Sequence, residues 1–244
     1  MKQVREQPSL RQEFKSKAYL IVGFVALIWA VELVNTVLGH RLNVLGIHPR
    51  TVIGLPGILL APFLHGGIGH VLVNTIPFVI LGWLVILHGT GTFLEVSLIV
   101  ILVAGAGTWL FGRPGVHVGA SSLIFGYFGF LVGRAWYQRS VGSILVALVT
   151  LALYGGLLWG VLPLHTRISW EGHLFGLLAG ILAAWLQQTV LSPSPGSLPA
   201  SESSDRGPSD DTPHAALSER LSRLNREIEG LRPGVGSGDP KEGP

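Results

Sequence analysis

The sequence predicts an all-α membrane protein, a bundle of six spanning helices, and three observations carry that expectation. The chain of 244 residues is 48% hydrophobic and only 13% charged, where a soluble domain carries about 25% charged residues. Its charges are segregated, most of them falling in residues 1–17 and 191–244. Between those ends lie apolar runs near 18–38, 67–88, 92–112, 119–135, 141–162 and 171–190, on the scale of the roughly 20 residues that a helix needs to cross a bilayer.

Taken in order, the first run is too long for a signal peptide and is followed by no small-residue cleavage site, so it reads as a retained span. It contains Glu32, a charge with no role evident from the sequence. A long connection, 39–66, follows with Pro49, Pro56 and Pro62. The fourth run is short. Like the sixth, it opens on small and polar residues, which a span tolerates only where that end faces protein or a water-filled cavity. With the N-terminus inside, inner segments outside the tail hold Lys2, Arg5, Arg11, Lys15, Lys17, Arg134 and Arg139, against Arg41, Arg50, Arg113 and Arg167 outside. That bias predicts both termini in the cytoplasm.

The chain therefore divides into a basic N-terminal segment (1–17), a six-span core (18–190) and a tail (191–244). The tail begins rich in Ser, Pro, Asp and Gly, which reads as disordered linker. Leu217, Leu221, Leu224, Ile228 and Leu231 then mark a short amphipathic helix near 213–231. Such a helix is either marginal alone in water or a site of weak self-association. The chain has no cysteine, which excludes disulfides, thiol nucleophiles and Cys-based metal sites. Its basic residues are not interleaved with aromatics, so no nucleic acid is expected as a partner.

Polar residues inside spans are costly and usually have a task. The second run opens with His65, His70 and Asn74. His70 and Asn74, four apart, share a helix face. They can hydrogen-bond to neighbouring helices. No carboxylate or further His stands at ligand spacing on this helix, so no metal is expected. The fourth run opens with Gly119, Ala120, Ser121 and Ser122, and Gly126, Gly129 and Gly133 keep it thin. A lone serine in a span often only bonds its own backbone. The sixth run carries His173 beside a stripe of Gly172, Gly176 and Gly180, a close-packing face. Two thin helices can bring Ser121 and His173 within hydrogen-bond reach, as an activated serine requires. His70, Asn74, Ser121 and His173 all fall in the first turns of spans that run from outside to inside. They should share one depth, where three helix N-termini favour negative charge.

Over roughly residues 15–190 the sequence resembles the rhomboid family of intramembrane serine proteases. The resemblance rests on the His-x4-His-x3-Asn pattern of His65, His70 and Asn74, the Gly-x-Ser of Gly119 and Ser121, and His173 followed by Gly176. It implies a Ser121–His173 dyad without an acidic third member and no cofactor. It implies an oxyanion hole from His70, Asn74 and the Ser121 N–H, and Phe125 packed on His173. Substrates would be membrane-protein helices cleaved near the outer membrane face, and the minimal core suits a bacterial inner membrane. The chain departs from the family in having Ser122 where a glycine is usual and no Trp-Arg pair in the first loop. Three readings stay open at this point. The protein is an active protease, a catalytically idle relative that binds client helices, or a small transporter.

Overall fold

In the computed structural model, the described residues are 9–164, 168–189, 220–223 and 226. Among them, six long helices dominate: α1 (Leu10–Val37), α2 (Ile68–Ile86), α3 (Thr90–Phe111), α4 (Ser121–Gln138), α5 (Val141–Tyr154) and α6 (Trp170–Thr189). The one extended pairing is an isolated bridge between Ile47 and His117. The expected all-α polytopic architecture is present. Residues 1–194 form one unit and 195–244 another. In the second, residues 220–223 and 226 are helical, and the rest of the amphipathic segment expected at 213–231 lies outside the described residues.

Boundaries differ from the apolar runs for local reasons. α1 starts at Leu10, well ahead of residue 18, because Ser9 and Gln12 form a capping box and Lys17 pairs with Glu13 at 2.7 Å across one turn. α5 stops at Tyr154, and the remainder of its run, Gly155–Val161, tightens into a 3-10 helix. The first loop is largely ordered into short turns, among them Arg41–Leu45, Val52–Gly54, Gly57–Leu60 and Ala61–Phe63.

Among the described residues, four segments are long and apolar enough to cross a membrane alone: α1, α2, α3 and the α5 run to Val161. The two exceptions, α4 and α6, sit at the centre, where α6 packs on α4 and α3. Their glycines permit backbone contact. A Cβ on Gly176 would strike the Ser122 carbonyl, one on Gly180 the Gly126 carbonyl, and one on Gly129 the Leu177 carbonyl. In α4 every residue from Leu123 to Leu131 is buried, whereas α5 buries only Ser143, Ala147 and Thr150. α4 and α6, which begin near Ser121 and His173, thus bury their small residues against neighbouring helices.

Candidate active site

The site begins with the extended stretch ahead of α4, which the first loop holds at three points. His117 and Ile47 exchange backbone hydrogen bonds of 3.0 and 2.9 Å, and the Gly119 N–H donates to the Ala61 carbonyl at 2.9 Å. The Ala120 N–H donates to His65 Nε2 at 3.3 Å. Gly119 has a φ of +121°, and a Cβ there would lie 2.9 Å from His70 Cε1 and Nε2 and 3.6 Å from Asn74 Nδ2. Only glycine meets both demands, the positive φ and the close approach. The chain then turns directly into α4, with Ser121 as its first residue.

A cleft of about 670 Å³ gathers His70, Asn74, Ser121, Phe125 and His173, with Arg113, His117 and Ser169 also on its wall. From the sequence, His70, Asn74, Ser121 and His173 are expected at one depth, and the family resemblance sets Phe125 against His173. His65, Gly119 and Gly176 do not line the cleft. Ser122 does not line it either. It borders a gap of about 30 Å³ that Gly105, Thr108 and Gly172 also line. The residue that stands in place of the usual glycine thus borders packing between helices and not the cleft wall.

Hydrogen bonds assign the imidazole tautomers. His70 Nδ1 accepts from the Gly66 N–H at 3.3 Å, so its proton sits on Nε2. His173 Nδ1 lies 2.9 Å from the Gly160 carbonyl. A carbonyl only accepts, so Nδ1 carries the proton and Nε2 keeps a free lone pair. The His173 ring stacks on Phe125, with centroids 4.1 Å apart and planes within 10°. Asn74 Nδ2 is buried with no partner among the described residues. Such an orphan donor costs about 1–3 kcal/mol, a cost usually tolerated where the group serves a ligand.

Several contributors escaped the sequence reading. Gly160 acts through a backbone carbonyl, which leaves no side-chain signal beyond the glycine itself. His117 lies 2.6 Å from Ser169 Oγ, and Glu171 Oε1 accepts the Arg113 N–H at 3.0 Å. These contacts tie the stretch before α4 to the start of α6. Glu171 is a buried carboxylate at the start of a span, which was the available clue. Behind the site, burial pushes the His65 imidazole down to about 4, with His70 adding to the effect. His65 thus stays neutral and able to accept from Ala120. Among the described residues no three His, Asp or Glu side chains cluster as metal ligands.

Comparison with known proteins adds the lineage. The family model described as Rhomboid domain matches residues 54–189. An uncharacterized protein of Mycobacterium tuberculosis is 42% identical over 175 residues, covering 68% of this chain and 73% of its own length. Two shorter likenesses are to the ammonium transporter Amt2 of Methanocaldococcus jannaschii, 28% identical over 46% of this chain and 28% of its own, and to RHOMBOID-like protein 1 of Arabidopsis thaliana, 27% identical over 51% of this chain and 32% of its own.

Proposed function

Because the chain belongs to the rhomboid family, we propose that it is an intramembrane serine endopeptidase in which Ser121 is the nucleophile and His173 the base. The observation that supports this most is the pair of opposite tautomers on one cleft. His173 offers a lone pair at Nε2, and His70 offers a proton at Nε2. The first suits a base and the second an oxyanion donor.

In this reading Ser121 Oγ attacks the scissile carbonyl carbon while its proton passes to His173 Nε2. The carbonyl π pair moves onto oxygen, which is met by the His70 Nε2–H, the Asn74 Nδ2–H and the Ser121 N–H at the positive end of α4. Collapse breaks the C–N bond, and the departing amine takes the proton from His173. Water then releases the acyl group by the same steps. The Gly160 carbonyl holds the imidazole in its tautomer, the task an acidic third member performs elsewhere. Phe125 fixes the plane of the ring.

Substrates are spanning helices of other membrane proteins that unwind near the outer face, since a helical peptide bond is shielded by its own hydrogen bonds. The core 18–190 crosses the bacterial inner membrane six times, with both termini in the cytoplasm. A transporter, by contrast, would place broken helices or charged residues near mid-membrane. The buried carboxylates among the described residues, Glu32 and Glu171, both stand at the end that carries the cleft.

The test is cleavage of tagged single-span substrates by purified protein in liposomes. Activity lost in Ser121→Ala and His173→Ala and kept in Ser122→Ala is the expected pattern. Loss in Ser122→Ala alone moves the nucleophile by one residue. Binding without cleavage of any substrate supports the idle client-binding reading instead.

A further inference from the structure

We propose that Glu32, Asn35 and the half-buried Asn43 form a clamp on His65, and are positioning residues that set the Ala120–Ser121 backbone against His70. The inference rests on the protease reading for its effect on catalysis, and on geometry alone for the clamp itself. Glu32 is fully buried, as are Asn35 and His65. A carboxylate so placed must be hydrogen-bonded or neutralised. Glu32 Oε1 accepts from Thr36 Oγ1 at 3.4 Å and lies 3.3 Å from His40 Nε2. Its Oε2, at 3.5 Å, is the most distant of three acceptors that share the two N–H groups of Asn35 Nδ2. His40 itself adopts a φ of +62°, a conformation rarely held by a residue with a Cβ unless its surroundings fix it.

From Asn35 the chain of contacts leaves α1. Its Nδ2 also donates to Asn43 Oδ1 at 2.9 Å and to the His65 carbonyl at 3.2 Å. Its Oδ1 accepts the Leu42 N–H at 3.0 Å. Asn43 Nδ2 donates to the same His65 carbonyl at 3.0 Å. One carbonyl thus accepts two amides, from a helix and from a loop, and both of its lone pairs are committed. The His65 ring, 5.0 Å from the His70 ring, in turn accepts the Ala120 N–H. A path of polar contacts runs from the Glu32 carboxyl group in α1 to the residue before Ser121. This gives Glu32 a task and supplies the mechanical support that the missing Trp-Arg pair leaves to other residues.

The effect expected is on the transition state, because the parts held are those that meet the developing oxyanion. A loosened clamp lowers kcat by about tenfold, the size of one net hydrogen bond, and leaves KM within about twofold. Two measurements test it. In the first, hydrogen exchange over residues 117–124 is followed by mass spectrometry in full-length protein. Asn35→Leu and the milder Asn43→Ala speed exchange there, with residues 90–111 unchanged as reference. Unchanged exchange at 117–124 in both variants overturns the clamp, whether or not the protein cleaves anything. In the second, kcat is compared for wild type, Asn35→Leu, His65→Phe and the double variant. Because Asn35 acts through His65, its substitution costs nothing further once His65 is Phe. Losses that multiply overturn the positioning role. So does a loss confined to KM, or equal losses in Glu32→Leu and Glu32→Gln, since the latter keeps an oxygen for Asn35 and Thr36. A wild type that neither cleaves a substrate nor reacts with a fluorophosphonate at Ser121 counts against the protease reading, and the exchange result still decides the clamp.

Discussion

Gly160→Ala is the sharpest probe of how His173 is held. A Cβ at position 160 would lie 2.8 Å from Phe125 Cζ and 3.1 Å from His173 Nδ1, where carbon contacts are comfortable at about 3.5–4.0 Å. The two rings are stacked 4.1 Å apart, so Phe125 cannot retreat without carrying His173 along. Relief requires roughly 0.5–1 Å of movement by the ring pair or by the 3-10 segment that bears Gly160. Either movement stretches the 2.9 Å bond from Nδ1–H to the Gly160 carbonyl. A misplacement of about 1 Å at a reacting group costs on the order of 10² in rate. The expected result is a kcat lowered between about 10- and 100-fold, with KM changing far less. The assay is initial-rate cleavage of a tagged spanning substrate in liposomes, beside the rate of fluorophosphonate labelling. Gly155→Ala serves as control, because a Cβ there meets nothing within 4 Å, and it should retain wild-type rates. Wild-type kcat in Gly160→Ala would refute the idea that this carbonyl orients the base. Equal losses in both variants would assign the effect to the segment's flexibility and not to the contact.

Other outcomes follow from the same geometry. Gly119→Ala should abolish cleavage and lower the thermal midpoint in detergent, since it combines a φ of +121° with a Cβ 2.9 Å from the His70 ring, a strain of about 1–3 kcal/mol before any displacement of His70. A wild-type midpoint would show that the turn ahead of Ser121 can be rebuilt. Gly180→Ala sets a methyl against the Gly126 carbonyl and should cost about 1–3 kcal/mol of stability by overpacking, read as a fall in urea midpoint, while Gly142→Ala, open on every side, should be neutral. Acid should destabilise the fold through His65. Its folded imidazole titrates at about 4 against 6.5 unfolded, so between those values the unfolded chain binds the extra proton. Stability from this group is complete above about pH 6.5 and falls by about 3 kcal/mol in all as pH drops to 4. His65→Gln should flatten that slope, and an unchanged slope would place the titrating group elsewhere.

Much of this was legible in the sequence, for identifiable reasons. Apolar runs report membrane crossing because burial in lipid imposes composition on a whole helix. The glycines at 129, 176 and 180 report a close helix pair because a Cβ at any of them would strike the partner's backbone. His70 and Asn74 are four apart on one helix, so helical phase groups them. What stayed hidden acts across distance or through the main chain. Glu32 made no sense alone because the partner that explains its path, His65, stands more than thirty residues away. The Gly160 carbonyl has no side chain to announce it. The unwinding of 155–161 into a 3-10 turn had a partial signal in Gly155, Gly156 and Gly160, which lower helical preference. The direction of Ser122 depended on the seating of α6, since a step of one residue turns a helix by about 100° and decides between cleft and packing gap only once the neighbour is in place.

The backbone contact between α4 and α6 has a consequence for how the surrounding lipid acts. Two rods fused at their thinnest points move as one body, and they carry Ser121 and His173 with them. Stretching or thinning the bilayer tilts that body but does not change the gap between its two halves. The thickness of the host membrane should therefore govern how fast a client helix arrives and bends, and leave the chemical step alone. In liposomes of graded acyl length, kcat/KM should vary while single-turnover cleavage of pre-bound substrate holds steady.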